Sequence, residues 1–66
     1  MIKAIPLRKA KEIMEKPNKN LGLYWTHDDT YIPNQYIAIV NTRQKHDHQS
    51  FESKNDAIKY LLSNKN

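Results

Sequence analysis

The side chains best suited to chemistry are three histidines, each beside an acid. His46-Asp47-His48 alternates two imidazoles with a carboxylate, and His27-Asp28-Asp29 closes a run of apolar and aromatic residues. Residues i and i+2 of an extended segment share a face, so His46 and His48 would project together. With His27 they would supply three imidazoles, enough for the protein side of a zinc site. No fixed metal signature accompanies them, and imidazoles near a polar turn of a basic protein are expected to be solvated or to touch phosphate. We expect no metal and no cofactor. General acid–base work also needs an enclosed pocket, and no segment promises one. There is no Gly-rich phosphate loop, no GxSxG and no HExxH. Gly22 is the single glycine, and the lack of cysteine removes disulfides, thiolate zinc sites and cysteine nucleophiles. The expectation is a protein that is not an enzyme and has no small-molecule substrate.

The second available chemistry is cationic. The 66 residues carry 11 Lys and Arg against 7 Asp and Glu, a net charge of +4, with an isoelectric point near 9.5. Such a balance favours anionic partners. The bases are unevenly spread. Residues 1–20 hold Lys3, Arg8, Lys9, Lys11, Lys16 and Lys19 against Glu12 and Glu15. Residues 43–66 hold Arg43, Lys45, Lys54, Lys59 and Lys65 against Asp47, Glu52 and Asp56. Between them stand Asp28 and Asp29 and no base at all. Arg8, Lys9, Lys11, Lys16, Lys19, Arg43, Lys45 and Lys54 therefore make a candidate phosphate-tracking surface, whose contacts would be salt-dependent and would position a nucleic acid without reading its sequence. The competing reading is an ordinary solvated helix face, because Glu12 and Glu15 interrupt the basic run.

A third possibility is contact with protein. Trp25 falls in step with Leu21 and Leu23, which suits a core, and Phe51 and Tyr60 also read as structural. Tyr24, Tyr31 and Tyr36 are surface-capable, able to stack on a base or to anchor an interface. Without basic residues on the strands, the protein contact is the better fit. Its patch would be Tyr24, Tyr36, Ile37 and Ile39, on whichever face the helices leave bare. The partner would be a second copy, a larger assembly or a host protein that a small phage-type inhibitor blocks.

These residues need elements to hold them. Residues 2–5 form a short leading strand or an ordered arm. Pro6 suits a first helical turn, and Leu7, Ala10, Ile13 and Met14 line one face of a helix that Pro17 ends. Arg8–Glu12, Lys11–Glu15 and Glu12–Lys16 are spaced to pair across it. Residues 18–20 are a linker, and residues 21–27 read as a strand. Residues 28–34 are a loop with Pro33 and Asn34 as turn formers. Residues 35–42 are the strongest strand, apolar on both faces as a central strand covered on both sides would be. After a polar turn at 43–47, residues 48–51 return as a short third strand. Ser53 and Asp56 resemble a capping box ahead of a helix with the stripe Ala57, Ile58, Leu61 and Leu62, and the tail frays after Ser63. The expected architecture is one α+β domain, α-β-β-(β)-α, with a two- to three-stranded antiparallel sheet and a helix at each end. A chain of this size buries only about 60% of its unfolded surface, so its stability is modest. No apolar run reaches the roughly 20 residues a bilayer needs, and the start of the chain is charged too soon for a secretory signal, so we expect a cytoplasmic protein. Its Lys- and Asn-rich composition would suit an AT-rich genome, such as a low-GC bacterium or its phage.

Residues 22–60 resemble the plant AP2 and phage integrase-arm domains. The resemblance rests on Gly22-Leu23-Tyr24-Trp25, on Tyr36-x-Ala38-x-Val40, and on Phe51-x-Ser53-x-x-Asp56-Ala57-Ile58. It implies a three-stranded sheet packed on one helix, with DNA binding by the sheet in the major groove. That family places arginines along its first two strands. Here those strands carry none, Asp28 and Asp29 stand where positive charge belongs, and the leading helix 6–16 is extra. If nucleic acid is the partner, the basic helix and the flanking turns are better candidates than the sheet.

Overall fold

The computed structural model describes residues 2–30 and 32–64. Its elements are β1 (Ile2–Ala4), α1 (Leu7–Glu15), a 3-10 turn (Pro17–Lys19), β2 (Gly22–Asp28), β3 (Gln35–Asn41), β4 (His46–Phe51) and α2 (Lys54–Ser63). The strands form one sheet in the order β1-β2-β3-β4. The fold is α+β as expected, but the sheet has four strands and is mixed. β1 pairs parallel with β2, while β2–β3 and β3–β4 are antiparallel. Parallel neighbours need a crossover, and α1 supplies it.

β3 is central, and the two helices lie on opposite sides of it. Its inward alternation sends Ile37 and Ile39 toward α1, where they pack with Ala10 and Ile13 and with half-buried Ile5, Leu7, Met14 and Tyr24. Ala38 and Val40 face α2 and pack with Leu23, Ala57 and Leu61. Trp25, Tyr36, Phe51 and Tyr60 close around this second cluster. The doubly apolar pattern of residues 35–42 thus has the cause expected for a covered central strand. Among the described residues, no helix is long and apolar enough to cross a membrane.

Three local expectations are corrected. β4 begins at His46, two residues earlier than the sequence suggested, because the turn before it is tight. The Thr42 amide donates to the Lys45 carbonyl at 2.8 Å, and the Lys45 amide donates to the Thr42 hydroxyl at 3.1 Å. The capping box does not form. Ser53 sits at the N-cap in extended geometry, but its side chain makes no capping bond. Asp56 supplies only its charge to the first turn, where a helix favours an anion. On α1 the three i,i+4 pairs give way to Lys9–Glu12 at 3.8 Å, the ion pair found among the described residues. In α2's stripe, Ala57 and Leu61 are buried and Leu62 is half exposed.

Two residues fix the entry to β2. Gly22 has φ +150, and a Cβ there would lie 2.9 Å from the Tyr24 hydroxyl. Without that Cβ the Tyr24 side chain folds back, and its hydroxyl donates to the Leu21 carbonyl at 3.0 Å. Asn41, buried at the end of β3, donates from Nδ2 to the carbonyls of Pro17 and Asn20, each at 2.7 Å. This ties the 3-10 turn to the sheet and holds the C-terminal end of α1 in place.

Candidate nucleic-acid interface

α1 buries Ala10 and Ile13 and leaves its charged side in water. Arg8, Lys9 and Lys11 on the helix, Lys16 after it and Lys19 in the 3-10 turn are all exposed. Lys3 is in register with Tyr24, so it shares the sheet face that α1 covers. Against these six cations stand Glu12 and Glu15, and among the described residues only Glu12 reaches a base, Lys9. Lys11 also lies near Asp28, whose carboxyl is held below its ordinary value chiefly by the Thr30 hydroxyl and amide, with smaller contributions from Lys11 and His27. Arg43 is exposed in the β3–β4 turn, two residues after the Asn41 that fastens residues 17–20.

The other two expected cations lie elsewhere. Lys45 turns to the α2 side, where its Nζ donates to Asn64 Oδ1 at 2.9 Å and stands 5.8 Å from the Tyr60 ring centre. Lys54, at the start of α2, sits 5.1 Å over the Trp25 ring. Such ammonium–ring contacts are worth about 0.5–1 kcal/mol at exposed sites, enough to bias where these side chains rest. The eight residues therefore do not form one surface. Arg8, Lys9, Lys11, Lys16 and Lys19 belong to α1 and the turn after it, Arg43 to the β3–β4 turn, and Lys45 and Lys54 lie against rings of the α2 layer.

The histidines divide in the same way. His46 and His48 face the α1 side, in register with Asn41 and Ile39. His27 projects from the other face and stacks on Tyr36, with ring centres 4.8 Å apart and planes 16° from parallel. The three-imidazole set is not assembled. His46 and His48 instead border a groove of about 190 Å³ between α1 and β4, lined also by Ile13, Met14, Pro17, Ile39 and Asn41. Asp47, at the rim, is held from the far side. Its carboxylate accepts from the Tyr60 hydroxyl at 2.9 Å and from the His48 amide at 2.8 Å, and these bonds, the phenol's first, keep its pKa below the ordinary value. Burial, and then that same bond, raise the Tyr60 phenol.

The expected protein-contact patch is not a surface. Ile37 and Ile39 are 9% and 3% exposed beneath α1. Tyr24 packs against the same cluster, and Tyr36 lies on the opposite face between Trp25 and His27. Tyr31 lies outside the described residues. Sequence reasoning missed the roles of Met14, Pro17 and Asn41. Asn41 did leave a signal, as the amide closing an otherwise apolar buried strand.

No family model and no solved structure matches the chain. A segment of human carboxylesterase 5A is 33% identical to it over 58 residues, which covers 88% of this chain and 10% of that protein. The chain thus spans about a tenth of the length of the curated relative it matches.

Proposed function

We propose that the protein is a non-catalytic nucleic-acid-binding module that meets its partner with the α1 side: Arg8, Lys9, Lys11, Lys16, Lys19 and Arg43. The observation that supports this reading is the difference in how the two layers hold their cations. Among the described residues, those of the α1 side are exposed and, Lys9 apart, make no ion pair, while on the α2 side Lys45 and Lys54 are drawn onto their own layer's rings and Lys59 alone stays as exposed and unpaired. Phosphate contacts by exposed lysines and arginines release counterions and give salt-dependent affinity. The face of β2 and β3 that a sheet-in-groove mode would present is covered by α1, so helix and turn carry the contact here. The likeness to a carboxylesterase covers a tenth of that protein and lends this reading no reaction.

A salt-titrated mobility-shift assay tests it. Arg8→Gln/Lys11→Gln/Lys16→Gln should weaken binding by on the order of 100-fold and flatten the log–log salt slope by about 2 to 3. Lys45→Gln/Lys54→Gln should change neither. Equal losses in the two variants would overturn the assignment.

A second reading, contact with protein, is favoured by one observation. Ile32, in the β2–β3 loop, is fully exposed, which moves the contact from the sheet to that loop. Light scattering on wild type and Ile32→Asp checks it: a mass that falls on substitution supports a self-contact there.

A further inference from the structure

We infer that the groove between α1 and β4 seats an unpaired base of a single-stranded nucleic acid, stacked against the imidazoles of His46 and His48 while its backbone runs over Lys16, Lys19 and Arg43. This rests on the reading that the α1 side takes a polyanion, and it narrows the ligand. Half-buried Met14 and the two exposed imidazoles border the groove, and Ile13 and Ile39, 1% and 3% exposed, close its floor. Aliphatic side chains beside imidazoles suit a flat ring system, and histidine is among the side chains on which unpaired bases stack.

His46 is set in place before any ligand arrives. Asn41 Nδ2 is occupied by two carbonyls, and its Oδ1 faces His46 Nδ1. An amide oxygen only accepts, so Nδ1 carries the hydrogen and Nε2 is the ring's remaining polar atom. A ring already held loses less freedom on binding. Because Asn41 is engaged through both ends of its amide, it has little left with which to read a base edge. The seat therefore works by stacking, which tolerates any base.

Three cations stand close along the chain to residues that line or brace the groove. Lys16 directly precedes groove-lining Pro17, Lys19 lies in the turn that Asn41 fastens, and Arg43 follows two residues after Asn41. The carboxylate at the rim, Asp47, is bound to Tyr60 and to the His48 amide. A duplex keeps its bases paired and stacked inside and offers this groove no free ring, so the site favours single strands.

Fluorescence anisotropy decides it, using labelled oligo(dT) and oligo(rU) of about eight nucleotides, within the site size of small single-strand binders, and a hairpin duplex. The single strands should bind more tightly than the duplex, and the better of oligo(dT) and oligo(rU) identifies the sugar. His48→Ala, at an exposed position, should weaken single-strand binding roughly tenfold, the scale of one base stack, and leave duplex binding unchanged. Lys16→Gln/Lys19→Gln/Arg43→Gln should weaken both. If His48→Ala leaves single-strand affinity intact while its melting curve matches wild type, or if the duplex binds as tightly, the base seat is overturned and the polyanion reading stands. If no oligonucleotide binds at low salt, the polyanion reading falls and the seat falls with it.

Discussion

The two helices cover opposite faces of one sheet, yet their surroundings handle charge differently. On the α2 side, Trp25, Tyr36, Phe51 and Tyr60 leave ring faces near the surface, and Lys45 and Lys54 lie over two of them. Asp47 is likewise fastened by the Tyr60 hydroxyl. On the α1 side the core is aliphatic, and Tyr24, which packs against it, turns its hydroxyl back to Leu21. Among the described residues, no lysine or arginine there lies over a Tyr or Trp ring, and Lys9–Glu12 is the ion pair. Formal charge alone would spread a binding surface over both layers. The neighbours of each ammonium group separate the cations free to meet a ligand from those already engaged.

Substitutions can break or sharpen this contrast. The largest effect is expected in the core of the α2 layer. Leu61→Ala should cost about 2–5 kcal/mol in urea unfolding, while Leu62→Ala, one residue away and half exposed, should stay within about 0.5 kcal/mol. On the α1 side the matching fixture is polar. Asn41→Ala strands the carbonyl of Asn20, leaves that of Pro17 with the Asn20 amide alone, and should cost about 1–3 kcal/mol, with hydrogen exchange accelerated first in residues 17–20. A similar loss without that local opening would show that Asn41 does not hold the turn.

Thr26 offers a smaller effect of opposite sign. It is 1% exposed under α1, and its hydroxyl has no hydrogen-bond partner among the described residues. Thr26→Val removes that unpaired group at nearly constant shape and should raise stability by about 1 kcal/mol. A loss would mean that the hydroxyl finds a partner, such as water.

The smallest effect is in pH dependence. The folded-state pKa of Asp47 lies below its ordinary value of 3.8, because the Tyr60 phenol and then the His48 amide stabilise the carboxylate. A carboxyl depressed on folding contributes stability above its unfolded pKa and loses it as pH falls through the folded one. Tyr60 is raised above 10.0, so its contribution is complete below that value and fades as pH climbs through the folded pKa. Asp47→Asn should therefore flatten part of the melting-temperature decline below about pH 4. The part due to Asp28, which Thr30 holds independently, should remain.

Much of this architecture was legible in the residues. The doubly apolar run at 35–42 announced a covered central strand, and the spacing of Leu7, Ala10, Ile13 and Met14 announced α1's buried stripe. β1 was harder to read, because three residues carry no periodicity and its pairing depends on where α1 delivers the chain to β2. Ser53 and Asp56 have the spacing of a capping box, but that spacing does not orient the side chains. The interface patch failed for a similar reason. Tyr24, Tyr36, Ile37 and Ile39 alternate along two strands and so occupy two faces, and whether a face stays bare depends on the helices. Of the basic residues, the α1 set stayed together because one helix and its following turn carry it. Lys45 leaves the turn toward α2, because Asn64 and Tyr60 draw it there.

The claim that the α1 side faces the ligand is tested most directly by titrating a short oligonucleotide into isotope-labelled protein and following every backbone amide. The shifts should concentrate in residues 7–20 and 42–48, weaken as salt is raised, and leave 54–63 at their free positions. Shifts centred on α2, or spread evenly over both helices, would contradict the account.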